Sequence, residues 1–169
     1  RIVVWGPHGT VFPRQVLEDI GADVAIKGEV EETFPRVVLS QDLGEVGGIA
    51  YRQGAKVVEN GDAPPVELES LPIPDYDALQ VGRYYHPLFG KEKFFLVMGS
   101  RGCPYRCSYC AKEMQGGYRA RPVPKILEEL KALKARGVTH LSFTDETFTL
   151  KKARVLELCR EMASRGLGM

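Results

Sequence analysis

The sequence has no long apolar run and almost no net charge: 23 lysines and arginines face 22 aspartates and glutamates, which leaves a formal charge of +1. No apolar stretch approaches the length of a membrane span, and no signal peptide opens the chain. These absences argue against a membrane segment and against secretion, and the balanced charge gives no reason to expect a nucleic-acid partner. A cytoplasmic, reducing location is the simplest expectation.

Cysteine is also scarce, yet three of the four cysteines lie close together. Cys103, Cys107 and Cys110 have the spacing C-x3-C-x2-C. Three clustered thiolates can hold an iron–sulfur cluster of four irons and leave one iron without a protein ligand. An open coordination site on a redox-active metal is where a small molecule can bind and react.

The spacing alone leaves other uses of these cysteines open. A structural zinc site usually has four ligands in two pairs, and no second C-x2-C pair occurs in the chain. A disulfide would leave one cysteine over and fits a secreted protein. A buried apolar role does not suit three cysteines in so polar a loop.

The fourth cysteine, Cys159, has a different setting. It lies in a helical pattern with Val155, Leu158 and Met162, which share one face. Free cysteine is commonly buried as a small apolar side chain. We therefore expect Cys159 to be a buried residue of that helix and not a metal ligand.

The residues before the cysteines predict where the site lies. The apolar run 94–98 is typical of a strand buried on both faces. Gly99, Ser100 and Gly102 then allow the backbone to turn out of the sheet. The carboxyl end of a parallel strand is where α/β folds usually place their chemistry.

The stretch from Gly99 to Cys110 (Gly-Ser-Arg-Gly-Cys-Pro-Tyr-Arg-Cys-Ser-Tyr-Cys) resembles the cluster loop of the radical S-adenosylmethionine (SAM) enzymes. The resemblance implies that the three clustered cysteines bind a 4Fe–4S cluster, whose fourth iron is chelated by the amino and carboxylate groups of SAM. An electron from the cluster would cleave a carbon–sulfur bond and release a 5′-deoxyadenosyl radical. Tyr109 would lie near the adenine of SAM. The same resemblance implies a small-molecule substrate and an electron donor such as flavodoxin or ferredoxin.

Two carboxylates follow the next predicted strand, 140–143. Asp145 and Glu146 could accept hydrogen bonds from the amino group of SAM. The run from Asp145 to Phe148 resembles the variant of this loop that is common in cobalamin-associated members. The alternative is a solvated turn in which Asp145 or Thr147 caps the following helix.

Positive residues are frequent around the cysteines, and they could stabilise an anionic cluster, the SAM carboxylate or an acidic substrate. Ordinary solvated loop charge explains them equally well. Aromatic interleaving is limited to Tyr105, Tyr109 and Tyr118, so we do not expect a nucleic-acid surface. The positive residues are Lys91, Lys93, Arg101, Arg106, Lys112, Arg119 and Arg121.

The pattern of strands and helices predicts an α/β fold with a proline-rich linker. We place the end of a doubly wound domain with a hairpin at 1–61, the linker at 62–93, and the first βα units of a partial (β/α) barrel at 94–169. Both ends of the chain read as interior sequence, so we expect a fragment of a longer protein that is inactive by itself. The predicted elements are strands 2–5, 24–26, 48–52, 55–59, 94–98 and 140–143, a turn at 6–10, and helices 13–19, 31–39, 124–136 and 151–165.

The amino-terminal part resembles the back half of the cobalamin-binding domain that precedes many radical SAM modules. The likeness covers residues 6–8, 22–31, 48–52 and 71–75. It implies a cobalamin site, in which Val30 stands where the family often has a second glycine. His8 could replace a cobalt-ligating histidine, although a turn histidine without that role is the simpler interpretation. The residues implied are Gly6, Pro7, His8, Gly28, Glu29 and Glu31.

The function expected from these patterns is that of a cobalamin-dependent radical SAM methyltransferase. A radical SAM cyclase or another non-methylating enzyme of the kind seen in tetrapyrrole biosynthesis is the alternative within the class. A methylthiolating enzyme fits less well, because no second cluster-binding domain is visible. A zinc-stapled binding module is the alternative from another class.

Overall fold

The computed structural model describes residues 1–79, 83–110 and 117–169. Within them the chain forms two compact units. The first is Arg1–Val66, with which residues 108–110 cluster, and the second is Glu67–Cys107 with Gly117–Met169. The domain boundaries expected at 61/62 and 93/94 stay predictions.

The first unit is built on one mixed sheet. Strands β1 and β2 are parallel, with Val3 opposite Val24, and β3 pairs antiparallel with both β2 and β4. The hairpin predicted around residue 54 is confirmed, and Gly54 takes the left-handed conformation that its turn requires (φ +62°). The strands are β1 (Val3–Val4), β2 (Val24–Ile26), β3 (Ile49–Gln53) and β4 (Lys56–Glu59), in that order across the sheet.

Helices cover both faces of β2. Its side chains alternate, so that Val24 and Ile26 pack with Val37 on one face while Ala25 packs with Leu17 on the other. This burial from both sides explains why the central strand is apolar throughout. The helices are α1 (Pro7–Val11), α2 (Pro13–Ile20) and α3 (Thr33–Leu39).

The turn predicted at 6–10 is wrong, because α1 occupies most of it. Pro7 stands in the first turn, where a missing N–H costs nothing. The amide of Thr10 donates to the carbonyl of Gly6 at 3.0 Å and closes the first helical turn. Gly6 supplies the left-handed φ of +111° at which the chain leaves β1.

The second unit contains a parallel strand pair with helices packed on it. Strands β5 and β8 are parallel, with Phe94 opposite His140 and Val97 opposite Phe143. The core beneath them is apolar, and Ile126, Leu130 and Leu158 are completely buried in it. The elements are β5 (Phe94–Val97), β6 (Ser100–Arg101), β7 (Arg119–Ala120), α4 (Val123–Ala135), β8 (His140–Phe143) and α5 (Lys152–Ser164).

Three details of the second unit differ from expectation. The strand β5 is not buried on both faces: Val97 faces the core, but Leu96 is 55% exposed beside a cleft of about 330 Å³. Ser100 and Arg101 do not turn away at once but pair antiparallel with β7. Cys159 was expected to be buried but is exposed. Leu158 is the residue of α5 that enters the core, and Cys159 lies beside it on the flank of the helix.

The proline-rich segment is anchored and not simply extended. Tyr76 is 3% exposed and belongs to the core of the second unit, where its ring meets that of Phe95 edge-on at 5.0 Å. In the part of the chain that the structure describes, no helix combines the length and the apolar character needed to cross a membrane.

Candidate functional site

The carboxyl ends of β5 and β8 meet at one edge of the second unit's sheet. The amide of Thr144 donates to the carbonyl of Val97 at 3.0 Å, which continues the parallel ladder past both strands. Asp145 follows at once, and its Oδ2 accepts a hydrogen bond from the Gly99 amide at 2.9 Å. Its Oδ1 accepts from the hydroxyl of buried Ser100. Asp145 therefore fixes the chain that leads to the cysteines.

The cysteine loop (residues 102–110) begins at Gly102, which is buried and left-handed (φ +78°). Cys103 follows and is half-buried, with its Sγ 3.5 Å from the Oγ1 of Thr147. Cys107 and Cys110 are exposed free thiols, and Tyr109 is 90% exposed. Among residues 1–79, 83–110 and 117–169, no three histidine, cysteine or acidic side chains are gathered closely enough to hold a metal ion.

The donor chemistry of the loop fits an iron–sulfur cluster. All four cysteines of the chain are free thiols, so none is committed to a disulfide. Thiolates are the ligands that iron–sulfur clusters take, and three of them occur here in one short loop. Exposure of Cys107 and Cys110 leaves their sulfurs accessible for such a group.

A buried ionic network contacts the backbone at the carboxyl end of β5. Glu129 of α4 accepts hydrogen bonds from the Tyr76 hydroxyl and from the Arg121 guanidinium. The side chains of Arg121 and Glu129 are 5% and 3% exposed. Arg121 also donates to the carbonyl of Met98 at 3.0 Å, directly after β5. The network thus connects helix α4 to the start of the cysteine-bearing segment.

The network also changes the acidity of Tyr76. Burial raises the pKa of the phenol first, and the hydrogen bond to the Glu129 carboxylate and that carboxylate's charge raise the pKa further. The phenol is therefore a stable donor to Glu129 throughout the physiological range. Sequence reasoning missed the pair, although Glu129 falls on the apolar stripe of its helix, between Ile126 and Leu130.

Arg154 adds a link from α5. Its Nη2 donates to the carbonyl of Gly99 at 2.5 Å and to that of Arg121 at 3.2 Å. Gly99 directly precedes β6, and Arg121 directly follows β7. One guanidinium therefore ties the chain on either side of the β6–β7 pair to the helix that follows β8.

The positive residues expected around the cysteines do not act alike. Arg121 is neutralised inside the core, and Lys93 donates to the carbonyl of Arg136 at 3.0 Å. Arg101 lies against the sulfur of Met98, with its Nε at 2.9 Å. Lys91 and Arg106 are exposed, Arg119 lies in β7, and Lys112 is outside the described residues. Glu146 is exposed as well.

The residues predicted to meet cobalamin lie at the strand ends of the first unit. Gly6 and Gly28 both have left-handed φ angles, +111° and +81°. Within the described chain, no atom lies within 4 Å of the position that a Cβ would take on either glycine. The hydroxyl of Thr10 donates to the Gly6 carbonyl at 2.9 Å and accepts from the Gly28 amide at 3.0 Å. Thr10, which the sequence did not single out, brings the two turns together.

The other residues predicted for that site are distributed around it. His8 is exposed, with its ring 5.4 Å from that of Phe12, and Pro7 is exposed beside it. Glu29 is half-buried and accepts a hydrogen bond from the Val66 amide at 2.6 Å, and Glu31 is half-buried. The open glycine turns fit a bulky ligand that approaches the backbone closely.

Comparison with known proteins gives one family and several relatives. Residues 97–168 match the model of the radical SAM superfamily. An uncharacterized methyltransferase from Pyrococcus horikoshii is 31% identical over 98% of this chain and 38% of its own length. The anaerobic magnesium-protoporphyrin IX monomethyl ester cyclase of Cereibacter sphaeroides is 31% identical over 98% of this chain and 28% of its own length. The chain thus spans well under half of the curated relatives that it matches.

A solved structure has a similar fold. The cobalamin-dependent S-adenosylmethionine radical enzyme OxsB, with aqua-cobalamin and S-adenosylmethionine bound, matches with a TM-score of 0.73 at 23% identity. The match covers 96% of this chain and 24% of OxsB.

Proposed function

This chain belongs to the radical SAM superfamily, and from that premise we propose that it is part of an enzyme that cleaves SAM reductively. The observation that carries the proposal is the anchored start of the cysteine loop at the carboxyl end of a parallel strand pair. Asp145 at the end of β8 binds Gly99, four residues before the first cysteine of the motif. Two strand ends and the first cysteine of the motif therefore lie near one edge of the second unit's sheet, which is where α/β enzymes act.

Cys103, Cys107 and Cys110 would hold a 4Fe–4S cluster. When bound, the cluster would supply the electron that breaks a carbon–sulfur bond of SAM. The chain's own part is to supply three sulfurs and no fourth ligand. Cys159 does not belong to this set, because it lies in the middle of α5, far along the chain and outside the loop.

The SAM contacts that we propose divide between two neighbouring carboxylates. Both oxygens of Asp145 already accept hydrogen bonds from Gly99 and Ser100, so its first task is to hold the chain that leads into the cysteine loop. Glu146 is exposed and offers the carboxylate for the amino group of SAM. Tyr109, at 90% exposure, offers an aromatic face for the adenine.

A cobalamin site in the first unit completes the proposal. Gly6, Pro7 and His8 would line one turn, and Gly28 with Glu29 and Glu31 the other. Bound cobalamin would carry the methyl group that is transferred. The chain's own residues would admit the cofactor close to the backbone, since the glycine turns carry no side chain.

The activity that we infer for the whole protein is methyl transfer to a small-molecule substrate, with electrons from a donor such as flavodoxin or ferredoxin in the cytoplasm. We assign residues 1–61 to the end of a doubly wound cobalamin-binding domain, 62–93 to a linker, and 94–169 to the first βα units of a barrel. A non-methylating cyclase is the second candidate, because the cyclase of Cereibacter sphaeroides is as similar to this chain as the methyltransferase is.

The cluster is tested with the full-length protein prepared without oxygen. We expect iron and sulfide near four each per chain, as the name 4Fe–4S implies, and production of 5′-deoxyadenosine from SAM under reducing conditions. Cys107→Ala should abolish both, whereas Cys159→Ala, in an exposed thiol outside the loop, should leave both largely intact. Zinc at one per chain without iron would instead support a zinc-stapled module.

The two candidate activities are separated with SAM that carries a deuterated methyl group. Label that appears in the product means methylation. Consumption of SAM to 5′-deoxyadenosine with an unlabelled product would favour the cyclase type.

The cobalamin site is tested by the cofactor retained through anaerobic purification. Gly28→Val should reduce the absorbance of the retained cobalamin. The valine side chain would occupy the open space in which we place the cofactor, and it would strain a left-handed backbone. Gly61→Val, in an exposed glycine of the same unit without a left-handed φ, is the matched control. Equal retention in both variants would count against this location.

A further inference from the structure

We propose that Thr147 tunes the reduction potential of the cluster by donating a hydrogen bond to the sulfur of Cys103. The inference rests on the proposed function, since it requires Cys103 to be an iron ligand. It goes further by giving a role to a hydroxyl that contacts one particular ligand of the three.

The contact is short enough for a hydrogen bond to sulfur. The Oγ1 of Thr147 lies 3.5 Å from the Sγ of Cys103, and both residues are half-buried. A cysteine that binds iron does so as a thiolate and has lost its proton. The threonine hydroxyl then becomes the donor and the sulfur the acceptor.

The threonine is held in place by the loop that carries it. Two residues earlier, Asp145 binds the amide of Gly99 and the hydroxyl of Ser100. On either side of Thr147's loop, the rings of Phe143 and Phe148 stack with centroids 4.5 Å apart. The chain after β8 therefore contacts the cysteine-bearing segment at two residues, Asp145 and Thr147.

The cysteine is held from its own side as well. Gly102 is buried and takes a left-handed φ of +78°, which sets the direction in which Cys103 leaves β6. The backbone on both sides of the contact therefore holds the hydroxyl and the sulfur next to each other.

A hydrogen bond to this sulfur should favour the reduced cluster. Reduction adds negative charge to the cluster and its thiolates, and a donor at sulfur stabilises that added charge. Hydrogen bonds to the sulfurs are among the features that set the potentials of such clusters. Removal of the hydroxyl should therefore lower the midpoint potential and make the cluster harder to reduce.

The experiment is a redox titration of the reconstituted full-length protein without SAM, followed by electron paramagnetic resonance. Thr147→Val keeps the shape of the side chain and removes the donor, so we expect a lower midpoint potential at unchanged iron content. Thr147→Ser keeps a hydroxyl and should return the potential toward that of the wild type. Thr149→Val, the same change at an exposed threonine of the same loop, should leave the potential unchanged.

The outcomes distinguish the role of Thr147 from the proposed function on which it rests. A cluster of normal iron content with the same potential in Thr147→Val and in the wild type overturns the role of Thr147 and leaves the proposed function standing. A wild-type protein that binds no cluster overturns both. Thr147→Ala is made in parallel, since it only removes atoms; an unchanged potential in that variant overturns the role of Thr147 equally.

Discussion

Strands β2 and β3 of the first unit bury only apolar side chains completely, whereas the second unit encloses a tyrosine, a glutamate and an arginine in one hydrogen-bond network. Val24, Ile26 and Ile49 have no exposed surface. Arg121 and Glu129 are buried almost as deeply, as charges. The second unit thus adds buried charged groups to an apolar core of the kind that holds β2 and β3.

The difference teaches what the buried charges do. An ion pair inside a core adds little net stability, because the desolvation of both ions offsets their attraction. Apolar side chains of similar size would serve the core as well. What they could not do is bind the Met98 carbonyl, as Arg121 does at 3.0 Å. The apolar side chains of β2 and β3 contribute burial alone, while Arg121 adds a directed hydrogen bond at the strand end that leads to the cysteines.

Glu129→Ala should cause the largest loss of stability, because it removes the carboxylate of the buried ion pair in the second unit. Arg121 would be left buried without its carboxylate, which costs about 3–5 kcal/mol for a buried pair. We expect that loss in the free energy of unfolding, measured by hydrogen exchange in peptides of α4 and β5.

Glu128→Ala is the control for that change. Glu128 is the neighbour on the same helix, its side chain is 57% exposed, and its contact to Lys125 is 3.8 Å long. We expect a change of less than about 1 kcal/mol, as for exposed ion pairs in general. Similar losses in both variants would contradict the special role of the buried carboxylate.

Ile49→Ala should have the next largest effect on stability, and it tests the apolar core of the first unit. Ile49 of β3 is fully buried in one apolar cluster with Ile26 and Val37, and removal of such a side chain leaves a cavity that costs about 2–5 kcal/mol. Hydrogen exchange of the β2 and β3 amides would measure it. Ile20→Ala, at an isoleucine that is 61% exposed, should change little. A loss below about 1 kcal/mol at Ile49 would mean that this core is loosely packed.

Tyr76→Phe should have a smaller effect, since the ring remains and one hydrogen bond to a charged acceptor is lost. Such a bond contributes about 1.5–3 kcal/mol. Tyr85→Phe, at a phenol that is 66% exposed, is the matched control. Chemical unfolding at neutral pH would compare the two, and equal stabilities would argue that the Tyr76 hydroxyl contributes nothing.

The same substitution should change the response to alkali. The pKa of Tyr76 is raised above its ordinary value of 10.0, so the native protein keeps this proton where the unfolded chain has lost it. The native state then binds more protons, and stability from this group is present below pH 10 and falls as the pH rises further. The wild type should therefore lose stability more steeply than Tyr76→Phe above pH 10. Parallel curves would contradict the shift.

The smallest effect belongs to an exposed pair of the second unit. Asp77 accepts from the Nε of Arg136 at 2.9 Å and from its Nη2 at 2.5 Å, and the hydrogen bond lowers the pKa of Asp77 below 3.8. The stability that this pair contributes is present above pH 3.8, the ordinary pKa of the group, and is lost as the pH falls through the lowered pKa. Arg136→Gln should raise the pKa of Asp77 in a carbon NMR titration, with almost no change in unfolding. An unchanged pKa would contradict the pairing.

Local patterns predicted the regular elements well. The sequence predicts strands 24–26 and 140–143 with the bounds that the structure has, and helix 124–136 is displaced by one residue at each end. Strand 24–26 is apolar throughout and lies between Gly21 and Gly28, and the helix has an apolar stripe and ends before Gly137. The short strands of the β6–β7 pair have no such pattern, and their pairing joins residues far apart in the sequence. No local rule could find it.

The site divides in the same way. Spacing identifies the three cysteines, and position after a strand identifies Asp145. Its partners, Gly99 and Ser100, depend on the register of two strands and could not be read from the sequence. Thr147 is a further case, because its contact to Cys103 exists only where both loops leave the same edge.

The pairing of Ser100 with Ala120 and of Arg101 with Arg119 has a consequence for how a cofactor could be loaded. The ladder joins the stem of the segment between them without help from any sulfur. The conformational entropy of closing that loop is therefore lost when the protein folds and not when iron arrives. A ligand held by the three cysteines would then have only the part of the chain beyond this stem left to order.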